Sequence, residues 1–212
     1  MLTADSIQKA LELKNAAAPT ARNAMAPVPG TAHRPPDKKG RPRIGAVLMV
    51  LYRGHRGLCI LLIKRRDSLQ YHPGQISFPG GRREKNEPLM ETALRETEEE
   101  IGIPSGRLTV LGSLAPVYIL PSDFVVHPFV AWHEGPPHMR LDTHEVASVI
   151  EAAVDTFFTS GVRGADRQMR GGRPVTVPYF ILGSYKVWGA TAMMLAELLE
   201  RLRTAGPGLN VS

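Results

Sequence analysis

Apolar and β-branched residues run almost unbroken over positions 44–51 and 58–63, separated by the turn cluster Arg53-Gly54-His55-Arg56-Gly57. That pattern predicts a β-hairpin. Positions 108–114 and 124–132 read as further strands, with Pro128 marking a bulge or an edge in the second. Positions 175–182 and 185–187, split by Gly183-Ser184, predict another hairpin. A helix is predicted from Pro88, a good first-turn residue, through Leu94 to the stop at Gly102 and Pro104. A second follows Gly189, where Leu195, Leu198, Leu199 and Leu202 recur at helical spacing before Gly206-Pro207. Positions 143–158 stay open between two readings. Val146, Val149, Ile150 and Ala153 fit a helix, while the β-branched content permits a strand in the first half. Hairpins interspersed with helices point to an α+β layered domain.

With 212 residues, 43% of them hydrophobic and 22% charged, the chain suits one soluble domain or one domain with an appendage. It is long enough to bury a core without disulfides or a structural metal. The single cysteine, Cys59, lies inside an apolar run and reads as a buried core thiol, which excludes a disulfide framework or a cysteine-rich zinc module. No apolar stretch approaches the ~20 residues of a membrane helix. The first residues lack an apolar signal core, and Asp5 and Glu12 argue against a transit peptide, so a cytoplasmic setting is expected.

The net charge of +6 suggests a nucleic-acid partner until it is divided along the chain. Residues 1–43 hold eight Lys/Arg against three Asp/Glu, leaving the remainder near neutral. Six of the 18 prolines also fall in that segment. Residues 1–43 therefore read as a short helix around Ser6 to Lys14, then an extended, solvated linker ahead of a domain spanning 44–212. Nucleic acid and membrane are not the expected partners; a homodimer is left open.

One stretch stands apart, SFPGGRREKNEPLMETALRETEEEIGI, residues 77–103. Glu96, Glu99 and Glu100 share a helix face by the i, i+3, i+4 relation. Like charges at that spacing repel, and they sit at the negative end of the helix dipole. No lysine or arginine follows at i+4. A bound divalent cation would reverse the sign, and an all-oxygen site suits Mg²⁺ or Mn²⁺. Upstream, Phe78-Pro79-Gly80-Gly81 is a turn whose glycines let backbone carbonyls approach a ligand. Arg95 is spaced to pair with Glu91 or Glu99.

Gly81, five residues, Glu87, seven residues, then Arg95-Glu96-Thr97-Glu98-Glu99-Glu100-Ile101-Gly102-Ile103 resembles the complete Nudix box. Thr97 departs from the usual aliphatic residue and fits the same buried slot. The resemblance implies an α/β/α sandwich around a mixed β-sheet, and hydrolysis of a nucleoside diphosphate linked to another group with Mg²⁺ or Mn²⁺. It implies that Glu96, Glu99 and Glu100 bind metal together with the Gly80 carbonyl. Arg95 would orient a glutamate, Glu87 would support the box, and Glu99 or Glu96 would serve as general base. Glu145 is a weaker candidate for a further carboxylate.

Residues 61–81 also resemble the signature that precedes the box in coenzyme A pyrophosphatases, with the spacing kept throughout. Ile63, Arg66 and Gln70 replace its threonine, small residue and second arginine. The resemblance and the preference of arginine forks for phosphate make Arg65, Arg66, Gln70 and Arg82 candidates for substrate contact. Arg83 reads as a surface arginine, and Tyr71 and His72 as loop packing. The expected substrate is a small nucleotide, coenzyme A or its thioesters. ADP-ribose, a nucleoside triphosphate or a dinucleoside polyphosphate are the alternatives, and a non-catalytic nucleotide- or RNA-binding domain is a third reading.

Overall fold

The computed structural model describes residues 2–29, 39–69 and 73–205. The predicted hairpin forms: β1 (Arg43–Gly54) turns through His55 and Arg56 into β2 (Gly57–Arg65). β1 is apolar without alternation because both of its faces are covered. Leu48, Val50 and Tyr52 pack into one buried cluster, Met49 and Leu51 into the other. The two strands pair only near their turn, from Leu51↔Ile60 to Gly54↔Gly57. Farther along, a wedge separates them. It consists of β3 (Ile76–Ser77), paired to Ile63 and Lys64 of β2, and β4 (Gly80–Arg82), paired to Gly45, Ala46 and Val47 of β1. The Phe78-Pro79-Gly80-Gly81 turn is thereby built into the sheet.

On the far side of β1 lies β7 (Phe124–His133), parallel to it from Arg43↔Phe124 to Tyr52↔His133. β5 (Leu108–Ser113) and β6 (Val117–Ile119) pair antiparallel with β7. Pro128 sits inside this interior strand, opposite Val47, where β5 has ended and β6 has not begun. The bulge falls instead on β5, between Val110 and Gly112. The open segment 143–158 resolves as strand β8 (Val146–Ala153), antiparallel to β2, followed by a 3₁₀ turn (Val154–Phe158). Cross-strand pairing decided between the two periodicities. A separate antiparallel sheet comprises β9 (Arg163–Arg170), β10 (Arg173–Leu182) and β11 (Tyr185–Trp188). β9 was not expected; most of it is exposed, and it is held by its ladder to β10.

Helix α3 (Leu89–Ile101) covers one face of the mixed sheet through Ala93 and Ile101. Helix α4 (Gly189–Ala205) belongs to the cluster on the other face, burying Leu195, Leu198, Leu199 and Leu202 with Met193 and Met194. Three layers result, an α/β/α sandwich. Cys59 is a buried free thiol, as expected. No helix among the described residues is long and apolar enough to cross a membrane.

The linker reading of the first residues needs correction. Two helices form, α1 (Ala4–Glu12), with a Thr3–Ser6 capping box, and α2 (Ala17–Ala24). Ile7, Ala10, Leu11, Ala18 and Met25 are buried. Pro19 falls in the first turn of α2, where a helix tolerates it. Glu197 of α4, 2% exposed, pairs with Arg22 at 3.3 Å and Arg201 at 3.4 Å. Arg201 also donates to the Leu11 and Leu13 carbonyls at 3.1 and 3.2 Å. Val28 then exchanges backbone hydrogen bonds of 2.8 and 2.7 Å with Thr176 of β10. Proline content misled because α2 packs on α4, whose Glu197 lies 175 positions from its partner Arg22. Of the rest of the predicted linker, residues 30–38 lie outside the described residues and 39–42 form no helix or strand before β1.

Candidate active site

Gly80 has a φ of +147°, and a Cβ there would come within 2.3 Å of the Ala46 carbonyl oxygen. Only glycine fits that close approach. At Gly81 a Cβ would stand 2.3 Å from Glu96 Oε2, so the carboxylate of α3 rests against the bare Cα of β4. α3 ends at Gly102, in the left-handed region with φ +71°, whose amide donates to the Glu98 carbonyl at 2.9 Å. Its last carbonyls do not face water. Arg140 N donates to Ile101 O at 2.9 Å and Asp142 N to Glu100 O at 3.0 Å. The buried Thr97 hydroxyl, in the slot usually aliphatic, donates to the Ala93 carbonyl at 2.7 Å.

The relief that no i+4 cation supplies comes from two arginines elsewhere. Arg95 pairs with Glu87, Glu96 and Glu99, each at 2.9 Å, and reaches the Arg82 carbonyl at 3.4 Å. Of its two predicted helical partners it takes Glu99 and not Glu91. The hydrogen bonds from Arg95, then from the Glu84 amide, hold the Glu87 carboxyl down to about 2. Thr92, buried, donates to Glu87 at 3.0 Å as well. Sequence reasoning missed Thr92; its place five residues after Glu87, inside the first turn, was the available signal.

Glu100 is the buried member of the cluster, its side chain 4% exposed against 17% for Glu96 and 59% for Glu99. Its Oε2 accepts from the Gly80 amide at 2.8 Å and its Oε1 from Arg65 at 3.3 Å. Burial nevertheless pushes its carboxyl up to about 8, opposed by the Gly80 amide and Arg65 and reinforced by the charges of Glu96 and Glu145. Burial raises Glu96 as well, with Arg95 pulling the other way. Glu145, half exposed, lies 3.7 Å from Arg65.

Among the described residues no three acidic, histidine or cysteine side chains converge into an assembled metal cage. Here arginines engage the three glutamates: Glu96 and Glu99 share Arg95 Nη1, and Glu100 is paired with Arg65. The donor chemistry still fits a hard divalent ion. Two of the carboxylates are mostly buried, the charge of Glu96 raises the proton affinity of Glu100, that of Glu99 raises Glu96, and both stand beside the Gly80-Gly81 backbone.

The predicted substrate arginines fall differently. Arg65 is committed to Glu100 and Glu145. Arg66 donates to the Thr143 carbonyl at 2.7 Å, and its amide to the Glu145 carbonyl at 2.9 Å, which ties it to the loop before β8. Arg82 is exposed at the end of β4. Arg83, expected at the surface, is half-buried and donates to the Glu87 carbonyl at 2.7 Å. Gln70, Tyr71 and His72 lie outside the described residues.

Residues 42–166 match the NUDIX domain model. The chain is 34% identical over 175 residues to the mitochondrial coenzyme A diphosphatase NUDT8 of Mus musculus, covering 79% of this chain and 81% of that protein. It is 36% identical over 160 residues to the Nudix hydrolase NudL of Enterobacter sp. (strain 638), covering 74% and 81%. In fold it is similar to the MutT protein from Methanosarcina mazei Go1, with a TM-score of 0.52 at 17% identity over 78% of this chain and 99% of that one. The box over positions 81–103, the wedge that carries its glycines and these relatives lead to one conclusion: the chain belongs to the Nudix family of pyrophosphohydrolases.

Proposed function

We propose that the protein is a metal-dependent coenzyme A diphosphatase, cleaving the pyrophosphate of coenzyme A or its thioesters to phosphopantetheine and adenosine 3′,5′-bisphosphate. The single observation that carries the metal dependence is the pair of mostly buried carboxylates, Glu96 and Glu100, held against Gly81 and Gly80. Mg²⁺ or Mn²⁺, when bound, neutralises pyrophosphate charge and acidifies water. Glu96, Glu99 and Glu100 would hold it with the Gly80 carbonyl. Glu99, the most exposed of the three, takes the proton of the attacking water, with Glu96 the alternative base. Arg95 keeps Glu99 and Glu96 aimed, and Glu87 keeps Arg95 in place. Arg82, exposed at the end of β4, is the cationic group proposed for phosphate contact, with Arg66 and Gln70 the further candidates by sequence.

The substrate class rests on two supports. One is the signature over positions 61–81; the other is the likeness to a relative named as a coenzyme A diphosphatase. With one cysteine the chain has no disulfide framework, and the cytoplasm is the proposed location. A panel of coenzyme A, ADP-ribose, a nucleoside triphosphate and a dinucleoside polyphosphate, assayed with Mg²⁺, tests the reading. Preferred cleavage of coenzyme A supports it; cleavage of ADP-ribose with coenzyme A untouched overturns the substrate assignment.

A further inference from the structure

Arg65 stands at the end of β2, 35 positions before Glu100, with its side chain 21% exposed. Along β2, Leu61 and Ile63 face the α3 layer, and alternation brings Arg65 to the same face. The pairing of β2 with β8 slips between Lys64 and Arg65. The extra residue, Ala147, lies on β8, so the alternation of β2 is kept up to Arg65. Here the guanidinium spans two carboxylates, with Nη1 3.3 Å from Glu100 Oε1 and Nη2 3.7 Å from Glu145 Oε2.

Glu100 is fixed at every polar atom the helix end leaves free. Its backbone carbonyl accepts from Asp142, its Oε2 from Gly80 and its Oε1 from Arg65. The same loop that supplies Asp142 continues to Glu145, whose carbonyl accepts from the Arg66 amide and whose carboxylate meets Arg65. The loop between β7 and β8 thus closes a ring: Glu100 carbonyl to Asp142, Asp142 to Glu145, Glu145 to Arg65, Arg65 back to the Glu100 carboxylate. An arginine already donating to one carboxylate and paired with a second, from a mostly buried position, is poorly placed to take a substrate phosphate.

We propose that Arg65, braced by Glu145, is a positioning residue that sets the Glu100 carboxylate for the divalent ion, and is not a ligand of the substrate. The inference rests on the reading of Glu100 as a metal ligand. Partners behind a metal ligand typically contribute about tenfold to a hundredfold in metal affinity.

The test measures Mn²⁺ binding to the substrate-free full chain by electron paramagnetic resonance, for wild type, Arg65→Met, Arg65→Lys, Glu145→Gln and Glu100→Gln. Thermal melts verify that each variant folds. Arg65→Met weakens Mn²⁺ binding about tenfold or more. Arg65→Lys, which keeps the charge but not the two-ended fork, falls between it and wild type, and Glu145→Gln weakens binding in the same direction. At saturating metal the KM for coenzyme A in Arg65→Met stays within about threefold of wild type, while the Mg²⁺ activation constant rises with the Mn²⁺ dissociation constant. Unchanged Mn²⁺ binding with a tenfold higher KM overturns the proposal and makes Arg65 a substrate residue. If Glu100→Gln binds Mn²⁺ as tightly as wild type, the reading of Glu100 as a ligand fails, and the role of Arg65 with it. If Glu100→Gln loses the ion and Arg65→Met keeps it, only the role of Arg65 falls.

Discussion

The carboxylate of Glu96 lies so close to the Cα of Gly81 that a single added methyl would come within 2.3 Å of its Oε2. The glycine clears a place for the acid, and the acid is mostly buried because the glycine is bare. Gly81→Ala is therefore expected to drive Glu96 out of its place and pull on Arg95. Turnover should fall by about tenfold or more, the scale of a misplaced reacting group, and the change in melting temperature should be small. Steady-state kinetics beside a thermal melt checks this; a fully active variant would mean that Glu96 works from another position.

Burial holds the Glu100 carboxyl up to about 8, against 4.5 for an ordinary glutamate. Between those values the folded chain keeps a proton that the unfolded chain has released. Without divalent ions, the contribution of this group to stability therefore declines as pH rises through that window. Binding of Mg²⁺ needs the ionised carboxylate, so stabilisation by Mg²⁺ should be larger at pH 8 than at pH 5.5. Melting temperatures with Mg²⁺ and with chelator at both pH values give the comparison. An equal or larger Mg²⁺ effect at pH 5.5 would contradict the assignment of Glu100.

Glu87 is the opposite case, held down to about 2 chiefly by Arg95. Its stabilising contribution is complete above the ordinary carboxylate range, declines as pH falls below about 4.5, and is gone once pH has passed through about 2. The acid limb of the activity profile should therefore survive in Glu87→Gln with its midpoint unchanged, while turnover drops because Arg95 loses one of its three carboxylates. A displaced midpoint in the pH–rate profile would show that Glu87 itself titrates during turnover.

Ile7 is fully buried in the cluster it shares with Leu198 and Leu202 of α4. Ile7→Ala should cost about 2–5 kcal/mol, the range for emptying a core site. Urea unfolding measures it. A loss below about 0.5 kcal/mol, the scale of a surface substitution, would restore the solvated-tail reading of the first residues.

The acidic helix was legible because its information is local. Glycine, arginine and glutamates at fixed offsets within 23 positions declare both the turn and the shared face. The β1–β2 hairpin and α4 were legible for the same reason, as unbroken apolar runs and a leucine stripe. What escaped depends on distant partners. The eight residues of α2 carry too little pattern to reveal that Arg22 meets Glu197. β9 is polar and borrows its order from β10. Arg65 looks like any phosphate-seeking arginine until the chain brings Glu100 and Glu145 to it across 35 and 80 positions.

The central claim is that the glutamates of α3 work on a pyrophosphate through a divalent ion, and Glu99→Gln tests it most directly. The change keeps the shape of the side chain and removes the charge and the base. At saturating Mg²⁺ and coenzyme A, turnover should fall by at least about a hundredfold, with the melting temperature of the chelated protein nearly unchanged. Turnover within a factor of a few of wild type would contradict the account.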